Sequence, residues 1–289
     1  MKLGVVFPQT ELPLDPAAIR DFALAAEDLG YDYLLAYDHV LGALPSSFDF
    51  MPPYNHETPF HEPFVLFGYL AGLVSTLEFV TGILILPQRQ TALVAKQAAQ
   101  VDFLSGGRLR LGIGIGWNHV EYEALGKDFS NRGRRTEEQV AVLRKLWTEP
   151  LVTFEGKEHA IHNAGIKPLP VQRPIPIWFG GTADIVLRRM ARLGDGWFPQ
   201  GRPSSEMGAV IDKLHGYLNE AGRDPAEFGI DVRLSMGEDD GSRVSRWQQE
   251  AEQWQALGAT HVSIATMRAG LETTDAHIQA IREFRAAFD

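Results

Sequence analysis

The feature that most restricts the fold of this chain is an eightfold alternation between short apolar segments and longer amphipathic ones. The apolar segments are continuous runs, which is typical of parallel strands buried on both faces. They fall at residues 3–7, 31–37, 79–86, 109–116, 175–180, 196–199, 229–236 and 261–265. Helical patterns are expected at residues 16–29, 63–76, 91–104, 135–148, 183–193, 204–222, 243–257 and 274–288.

Eight strands that are each followed by a helix predict a (β/α)8 TIM barrel, and the length of 289 residues fits a single such domain over 1–289. The alternative is an open doubly wound sheet, but its glycine-rich fingerprint does not follow the first strand, where Gly4 stands alone. Residues 149–174 interrupt the alternation with several prolines and a predicted hairpin, VTFEGKEHAI. The predicted barrel therefore carries an insertion before its fifth strand.

Composition limits the class of partner. The formal net charge is −10 and no broad basic face is visible, so nucleic-acid binding is not expected. The chain has no cysteine, which removes disulfides and thiolate chemistry. The longest apolar run, FVLFGYLAGLV, is too short to span a bilayer, and the N-terminus lacks a signal-peptide pattern. We expect a cytoplasmic protein that acts on small molecules and not at a membrane.

The second strand ends in a pair of polar residues. The active site of a TIM barrel lies at the C-terminal ends of its strands, where Asp38 and His39 are found here. The loop 40–62 that follows is long, and loops of this length are usually lids or binding loops. Two interpretations stay open: His39 is an acid, a base or a hydrogen-bond donor at the barrel mouth, or the pair caps and organises the loop.

Glycines occupy one face of the fourth strand. Gly112, Gly114 and Gly116 stand at alternate positions, which share a face of a strand, and Trp117 and Asn118 follow directly. A face without side chains leaves room for a flat ligand, although it would also leave room for bulky core residues. We favour the ligand because Trp117 and Asn118 come where the strand ends.

The fifth strand ends in Gly180 and Gly181, and Thr182 opens the next helix. Two glycines let the backbone approach a ligand, and Thr182 is expected to cap the helix. The N–H groups and positive dipole end of such a helix favour phosphate binding. A plain tight turn is the alternative. Gly82, inside the third strand, indicates either a bulge or close packing.

Other clusters give weaker signals. Arg132, Arg134 and Arg135 would suit an anion, but a solvated, charged helix start is the favoured interpretation. A metal site is not predicted, because no HExxH motif occurs. His56, His61 and Glu62 could form one, but loop residues at that spacing are weak evidence. No G-x-S-x-G motif occurs either, which disfavours serine hydrolase chemistry.

Three segments together resemble the bacterial luciferase-like monooxygenase and oxidoreductase superfamily, and most closely its branch that uses the deazaflavin coenzyme F420. The segments are YDYLLAYDHV, TGILILPQRQTALVAKQAAQVDFLSGGRLRLGIGIGWNHVEYEALG and IWFGGTADIVLRRMARLGDGWFP. The resemblance covers nearly the whole chain, and the middle segment is highly specific. It implies a TIM barrel, often a homodimer, with the insertion that residues 149–174 match.

The resemblance also implies roles for individual residues. It makes Asp38 and His39 catalytic and places His39 beside the reactive ring of the cofactor. It implies a bulge at Thr81, Gly82 and Ile83, with a non-prolyl cis peptide between Gly82 and Ile83 behind the ring. It assigns the cofactor phosphate to Gly180, Gly181 and Thr182, and we add Gly114, Trp117 and Asn118 to the predicted cofactor-binding residues.

One departure from the family narrows the substrate. Members that oxidise sugar phosphates have a proton-donating Glu after the fourth-strand glycines, where this chain has Trp117. Glucose-6-phosphate chemistry is therefore not expected, and a hydrophobic or aromatic substrate under the Phe-rich loop 44–62 fits better. The predicted function is hydride transfer between reduced F420 and a small hydrophobic compound. Alternatives are an FMN-dependent monooxygenase that uses O2, a non-catalytic flavin-binding protein and a phosphate-binding barrel isomerase.

Overall fold

A computed structural model describes residues 1–238 and 241–288, and their strands close into a parallel barrel. The strands are β1 (Lys2–Val6), β2 (Tyr33–Ala36), β3 (Glu78–Thr81), β4 (Leu84–Ile85), β5 (Leu109–Gly114), β6 (Val152–Glu155), β7 (Ala160–Ala164), β8 (Ile177–Gly180), β9 (Gly196–Phe198), β10 (Gly229–Ser235) and β11 (His261–Ala265). The order around the barrel is β1, β2, β3, β5, β8, β9, β10, β11 and back to β1, while β4 extends the β3 position. The TIM-barrel prediction is thus confirmed, and the open-sheet alternative is excluded.

Helices surround the barrel. They are α1 (Pro16–Asp28), α2 (Pro63–Ala71), α3 (Thr91–Ser105), α4 (His119–Ala124), α5 (Arg132–Thr148), α6 (Asp184–Leu193), α7 (Ser205–Glu220), α8 (Arg243–Ala256) and α9 (Thr274–Ala286). None of the described helices is both long and apolar enough to cross a membrane. The main core lies between these helices and the outer faces of the strands, because parallel strands in a barrel bury both faces.

Two helix boundaries differ from the sequence prediction by three or more residues, and one helix was not predicted. Helix α2 ends at Ala71 and not near residue 76, because Glu27 accepts hydrogen bonds from the backbone N–H groups of Ser75 (2.7 Å) and Thr76 (2.6 Å) and turns the chain toward β3. Helix α5 begins three residues earlier than predicted. The unpredicted helix α4 begins after Asn118, whose side chain accepts from the second and third N–H groups of the helix.

The third barrel strand is broken into β3 and β4 and is not continuous over 79–86 as predicted. The break holds the cis peptide between Gly82 and Ile83 that the family resemblance implies. Thr81 Oγ1 donates to the carbonyl oxygen of Gly112 (2.7 Å), and a Cβ on Gly82 would lie 2.4 Å from Leu35 Cδ2. The bulge and the cis peptide are therefore confirmed, and packing against Leu35 restricts position 82 to glycine.

The insertion contains the predicted hairpin, in which β6 and β7 are antiparallel. It lies against α3 and α5, since His159 contacts both Thr91 (2.5 Å) and Glu138 (2.7 Å). Arg134 and Arg135 both pair with Glu158 of this hairpin, at 3.6 Å and 3.3 Å. The cluster lies at the start of α5, as the favoured interpretation expects, but Arg134 and Arg135 anchor the insertion to the helix instead of being only solvated.

The interior of the barrel changes character along its axis. An apolar cluster of Val6, Tyr33, Leu35, Val80 and Ala265 fills the middle. Closer to the N-terminal ends of the strands, the Arg110 guanidinium lies between the Tyr33 and Trp178 rings, 4.7 Å and 4.3 Å from their centroids, and pairs with Asp231 (3.0 Å). The interior is thus closed at this end and is open only toward the C-terminal ends of the strands.

Candidate active site

A cavity of about 480 Å³ opens at the C-terminal ends of the barrel strands, where a TIM barrel carries its active site. Its volume is in the range of small-molecule and cofactor sites. Residues from seven of the eight barrel positions, and from the loop after β2, line it. They are Leu35, Tyr37, Asp38, His39, Pro53, Tyr54, Gly82, Ile83, Ile85, Gly114, Ile115, Gly116, Trp117, Gly180, Gly181, Phe198, Pro199, Gln200, Asp231, Arg233 and Ser263.

His39 is held at the mouth of the cavity by Glu121, a residue the sequence did not single out. The Nδ1 atom of His39 lies 2.9 Å from Glu121 Oε2. The other carboxylate oxygen of Glu121 accepts from the backbone N–H groups of Val40 (2.6 Å) and Leu41 (3.0 Å). An ionised carboxylate only accepts hydrogen bonds, so this arrangement favours the tautomer with the proton on Nδ1 and leaves Nε2 for a ligand.

Aromatic rings surround the His39 imidazole. The ring centroids of Tyr54, Phe60 and Trp117 lie 5.3, 4.9 and 5.6 Å from it. Phe48 and Phe50, from the same loop, contact Trp117 at 5.2 Å and 5.7 Å. This segment of loop 40–62 thus covers the mouth with apolar rings and limits the access of water to His39.

Asp38 has a different environment from its neighbour. Its carboxylate is buried and forms two contacts with Arg89, at 2.7 Å to Nη2 and 3.3 Å to Nε, and accepts from the backbone N–H of Ile85 (2.9 Å). Arg89 also pairs with Glu62 (2.7 Å). Asp38 therefore joins the end of β2 to β4. The two residues differ in position: Asp38 organises the backbone, as one interpretation expects, while His39 faces the cavity, as the other expects.

One wall of the cavity is built from glycines around Ile83. A Cβ on Gly114 would lie 2.6 Å from Ile83 Cδ1, and a Cβ on Gly180 would lie 3.1 Å from Ile83 Cγ2. Gly82 and Ile83 contribute the bulge itself. The backbone of three neighbouring barrel positions is thus exposed to the cavity, and the wall presents Ile83 as its single large side chain at that place. Gly112 is different, because its Cβ would meet the Thr81 carbonyl oxygen at 1.9 Å.

The N-terminus of α6 faces the same side of the barrel as β8. Gly181 has φ +110°, a conformation that favours glycine. The predicted cap is wrong by one residue: the N-cap is Ala183 and not Thr182, and no side chain caps the helix. Because Thr182 does not cap the helix, the first N–H groups of α6 lack the hydrogen bond that a capping hydroxyl would supply. They remain available to an anion.

Asp184, at the first position of α6, does not place a bare negative charge beside this helix end. It is hydrogen-bonded to Lys213 (2.5 Å), Tyr217 (2.6 Å) and Arg188 (3.2 Å). The hydrogen bonds from Lys213 and Tyr217 hold the pKa of the Asp184 carboxyl well below its usual range. The carboxylate is thus ionised at neutral pH, and Lys213 and Arg188 compensate its charge.

The predicted site residues fall into three locations. The cavity is lined by Asp38, His39, Gly82, Ile83, Gly114, Trp117, Gly180 and Gly181. Thr81 and Asn118 are buried behind it, the first bonded to Gly112 and the second capping α4. Thr182 is exposed beside the helix end and outside the lining. The roles of all these residues in binding or catalysis stay predictions.

Several lining or supporting residues were missed. Glu121, Arg89, Tyr37 and Arg233 all contribute to the cavity or to its frame. The spacing Asn118-x-x-Glu121 resembles a helix capping box and could have drawn attention to Glu121. Arg233 gave no signal, because a charged residue inside a strand is not distinguished by sequence from one on an exposed face.

The residues considered for a metal site are used elsewhere. Glu62 pairs with Arg89 and caps α2, and His61 packs against Phe7 at 5.9 Å. Within residues 1–238 and 241–288, no three His, Asp or Glu side chains are grouped as metal ligands would be.

Comparison with known proteins identifies the family. The model of the luciferase-like monooxygenase family matches residues 1–286. An uncharacterised protein from Mycobacterium tuberculosis is 37% identical over 225 residues, which cover 75% of this chain and 77% of that one. The chain therefore belongs to the luciferase-like monooxygenase family, whose members act as oxidoreductases on small molecules.

Two further relatives use different cofactors. An F420-dependent glucose-6-phosphate dehydrogenase from Intrasporangium calvum is 31% identical and covers 79% of this chain and 68% of its own. An FMNH2-dependent dimethylsulfone monooxygenase from Pseudomonas fluorescens is 30% identical and covers 68% of this chain, but this chain matches only 51% of that protein.

Among solved structures, an F420-dependent secondary alcohol dehydrogenase in complex with an F420-acetone adduct has a TM-score of 0.80. The match covers 100% of this chain and 99% of that one at 19% sequence identity. This likeness confirms the barrel fold.

Proposed function

We propose that this protein is an oxidoreductase that binds coenzyme F420 and transfers a hydride between its reduced form and a small, hydrophobic organic substrate. The observation that carries the proposal is the position of His39: it is fixed by Glu121 and faces a cavity with a side-chain-free wall. The F420-dependent relative and the F420-dependent structural neighbour support this choice of cofactor.

The residues present fit a flat tricyclic cofactor. A Cβ at Gly114 or Gly180 would crowd Ile83 and project from the wall that such a ring would need. We assign the ring to the surface of Gly82, Ile83 and Gly114, and the phosphate to Gly180, Gly181 and the first N–H groups of α6. Thr182 and Asn118 would contribute at the edge of this site, Thr182 beside the phosphate and Asn118 by fixing α4 below Trp117.

The cofactor, when bound, supplies the hydride chemistry. The protein side of the reaction is then the handling of one proton and the exclusion of water. We assign the proton to Nε2 of His39, because Nδ1 is occupied by Glu121. Tyr54, Phe60 and Trp117 exclude water around the imidazole, and Asp38 keeps the backbone before His39 in place through Arg89.

The aromatic cover also supports a hydrophobic substrate. Phe48, Phe50, Tyr54 and Phe60 come from one loop. Phe48 and Phe50 contact Trp117, while Tyr54 and Phe60 pack against each other. Trp117 stands where sugar-phosphate dehydrogenases of this family have a glutamate. A sugar phosphate would find apolar rings at the mouth and no proton-donating carboxyl at position 117. A ring-sized apolar group would instead bury its surface there.

An FMN-dependent monooxygenase that uses O2 is the second candidate. The glycine wall does not distinguish a deazaflavin from a flavin, since both present a flat ring and a phosphate, and the relative from Pseudomonas fluorescens uses FMNH2. A non-catalytic flavin-binding protein would share the cavity as well. It would bind cofactor without oxidising or reducing it faster in the presence of any substrate.

We further propose a cytoplasmic homodimer. The outer faces of α2 and α3 expose large apolar side chains that a monomer would leave in water. They are Val65 (70% exposed), Tyr69 (44%), Leu93 (52%), Phe103 (51%) and Leu104 (54%). Light scattering tests this assembly. We expect a dimer for the wild type and a monomer for Leu93→Glu.

The deciding experiment is a side-by-side titration of the cofactor-free protein with F420 and FMN, followed by quenching of tryptophan fluorescence. Tighter binding of F420 supports the proposal and justifies a screen of carbonyl compounds and alcohols. A preference for FMN favours the monooxygenase and directs the work to oxygen consumption. Binding of neither cofactor contradicts both.

A further inference from the structure

An arginine on the inner surface of the barrel has no acidic partner among the residues that the structure describes. Arg233 lies on the inward face of β10, two residues beyond Asp231, and its side chain is exposed to the cavity. Its Nη1 donates to the hydroxyl of Tyr37 (2.7 Å), and its guanidinium carbon lies 5.4 Å from the Tyr37 ring centroid. Within residues 1–238 and 241–288, no carboxylate forms an ion pair with it. The guanidinium lines the cavity with donors to spare, so it is available to an anion that enters there.

The carboxylates that line the cavity or lie directly behind its wall are already occupied. Asp38 is bound by Arg89, and Asp231 is bound by Arg110 (3.0 Å) and accepts from the Tyr33 hydroxyl (2.7 Å). Glu121 accepts from His39 and from two backbone N–H groups. None of them is left to neutralise Arg233, whose free donors therefore face the cavity.

A second arginine adds positive potential on the same side. Arg268 donates to the carbonyl oxygen of Pro53 (3.2 Å), and its guanidinium carbon lies 5.8 Å from the Tyr54 ring centroid. Burial raises the pKa of the Tyr37 hydroxyl, while the charges of Arg233 and Arg268 both act in the opposite direction. Tyr37 is thus subject to two positive charges.

This region lies away from the wall assigned to the cofactor. The glycine wall belongs to β3, β5 and β8, whereas Arg233 on β10 reaches Tyr37, which follows β2. The strands between those two residues are β11 and β1, on the other side of the barrel. An anion bound by Arg233 would therefore belong to the substrate rather than to the cofactor phosphate near Gly180.

We propose that Arg233, together with the Tyr37 hydroxyl, binds an oxyanion group of the substrate, a carboxylate or a sulfonate. The guanidinium offers several N–H donors in one plane, which matches the paired oxygens of either group. The substrate of this site is then an amphiphilic acid: its anion lies at Arg233, and its apolar part lies under the aromatic loop around Tyr54 and Trp117. This inference rests on the proposed function, whose apolar substrate it makes more specific.

The test compares three probes of one shape, benzoate, benzenesulfonate and benzamide, by ligand-observed NMR titration of the protein loaded with whichever cofactor it binds. The wild type is expected to bind at least one of the two anions about tenfold or more tightly than neutral benzamide. Arg233→Met keeps the aliphatic stem and should lose that preference, while Arg233→Lys should keep part of it. Arg282→Met, on the exposed face of α9, is the matched control and should bind as the wild type does. The relative affinities of benzoate and benzenesulfonate decide between the two kinds of anion.

Three results would overturn the proposal. The first is equal binding of the anions and benzamide by the wild type. The second is an anion preference that survives in Arg233→Met. The third is a loss of cofactor affinity in that variant with the anions unaffected, which would make Arg233 a cofactor ligand. If no cofactor binds, the titration is run on the cofactor-free protein in a buffer without oxyanions, so that only the probes compete for Arg233. Failure of the proposed function therefore appears in the cofactor titration, and failure of this inference appears in the probe series.

If Arg233→Met does not fold, the comparison of Arg233→Lys with the wild type decides. Equal anion preference and equal affinity in both would contradict recognition by the guanidinium fork.

Discussion

At the scale of single residues, the site depends on a contact between positions 82 residues apart, His39 and Glu121. The carboxylate of Glu121 is fully buried and accepts three hydrogen bonds, so it fixes both the imidazole and the backbone that follows it. Glu121 does not line the cavity and is a positioning residue. Its effect on chemistry is expected to pass through the tautomer of His39.

Glu121→Gln should reverse that tautomer. The amide nitrogen can donate to Nδ1, which then has no proton, while the amide oxygen still accepts from the backbone. We expect the His39 proton to move to Nε2, and turnover to fall by about a hundredfold or more once a substrate is found. Long-range proton–nitrogen NMR of the His39 ring checks the tautomer without any substrate.

The control for this prediction is Glu121→Asp, which keeps the charge. It should retain the wild-type tautomer even where its shorter side chain weakens the contact. An unchanged tautomer in Glu121→Gln would show that Glu121 serves only to hold the loop backbone. A lower affinity for the cofactor in both variants, with no change in the ring spectra, would lead to the same conclusion.

The glycine wall gives a second prediction at this scale. Gly114→Ala places a Cβ 2.6 Å from the end of the Ile83 side chain and into the face assigned to the cofactor ring. Ile83 is flexible at that end, so we expect a folded protein whose affinity for the preferred cofactor falls about tenfold, equivalent to about 1.4 kcal/mol. Titration by fluorescence quenching measures the affinity.

Gly216→Ala is the matched control, because a Cβ there meets nothing within 4 Å and the residue lies in α7, away from the cavity. Its cofactor affinity should equal that of the wild type, and its stability should rise slightly, as expected for alanine in a helix. Unchanged cofactor binding by Gly114→Ala would show that the ring does not lie on this wall.

At the scale of secondary-structure elements, the pair of Asp38 and Arg89 joins the end of β2 to the segment between β4 and α3. Both side chains are largely buried, at 0% and 12% exposure, and Asp38 also accepts from Ile85 N–H. Arg89→Met removes the cation and leaves a buried carboxylate beside it. The free energy of unfolding should fall by about 3–5 kcal/mol, as in other broken buried pairs, and urea denaturation measures it.

The control is Arg20→Met, which breaks an exposed ion pair with Asp21 on α1 and should leave stability unchanged within error. A small loss in Arg89→Met would show that water reaches Asp38 when the arginine is removed. In that case the pair would not be what fixes β4 relative to β2.

The strands and helices also show which parts of the fold could be predicted from the sequence. The eight barrel positions could be predicted because each is a continuous apolar run, and this pattern depends on local residues alone. The break between β3 and β4 could be predicted only through the family resemblance, since Gly82 by itself is equally consistent with close packing against Leu35. Helix α4 was missed because it is six residues long, with few apolar positions to form a periodic pattern.

In the candidate site, too, only features that depend on local residues could be predicted. Residues next to strand ends, such as His39 and Gly114, could be placed at the barrel mouth from the strand prediction. Pairs between distant segments, such as His39 with Glu121 or Asp38 with Arg89, could not, because nothing local to either residue specifies its partner. The cap of α6 was assigned to Thr182 from residue preference, whereas the chain enters the helix at Ala183.

At the scale of the whole molecule, the barrel has a polar end and an open end. The cavity lies at the C-terminal ends of the strands and reaches inward to Asp231. Beyond Asp231 the opposite end is closed by Arg110 and His261, packed among Tyr33 and Trp178. Ring centroids of His261 and Trp178 are 5.0 Å apart, and Thr260 Oγ1 lies 2.7 Å from His261 Nδ1. A change of charge at the closed end, such as protonation of His261, is therefore expected to change the stability of the protein.

This sensitivity leads to a prediction about stability and pH. Burial, followed by the positive charge of Arg110, lowers the pKa of His261 from 6.5 to about 3 in the folded protein. In the unfolded chain the imidazole takes up a proton below about pH 6.5, whereas in the folded protein it stays neutral. The unfolded state thus binds more protons between these two pH values, so the stabilising effect of neutral His261 is complete above pH 6.5 and is lost as the pH falls toward 3.

Within that window His261 should contribute a slope of up to about 1.4 kcal/mol of unfolding free energy per pH unit. His261→Gln keeps a polar side chain of similar size but cannot titrate, so its stability should fall less steeply on acidification than that of the wild type. Urea denaturation at several pH values between 6.5 and 5 gives the slope for each protein. Subtracting one slope from the other removes the contributions of other groups. His61 and His277 are among these groups, because burial lowers their pKa values as well. His162→Gln, on the exposed hairpin, serves as the control. Parallel curves for the wild type and His261→Gln would mean that His261 gains its proton without unfolding, and hence that the closed end of the barrel admits water.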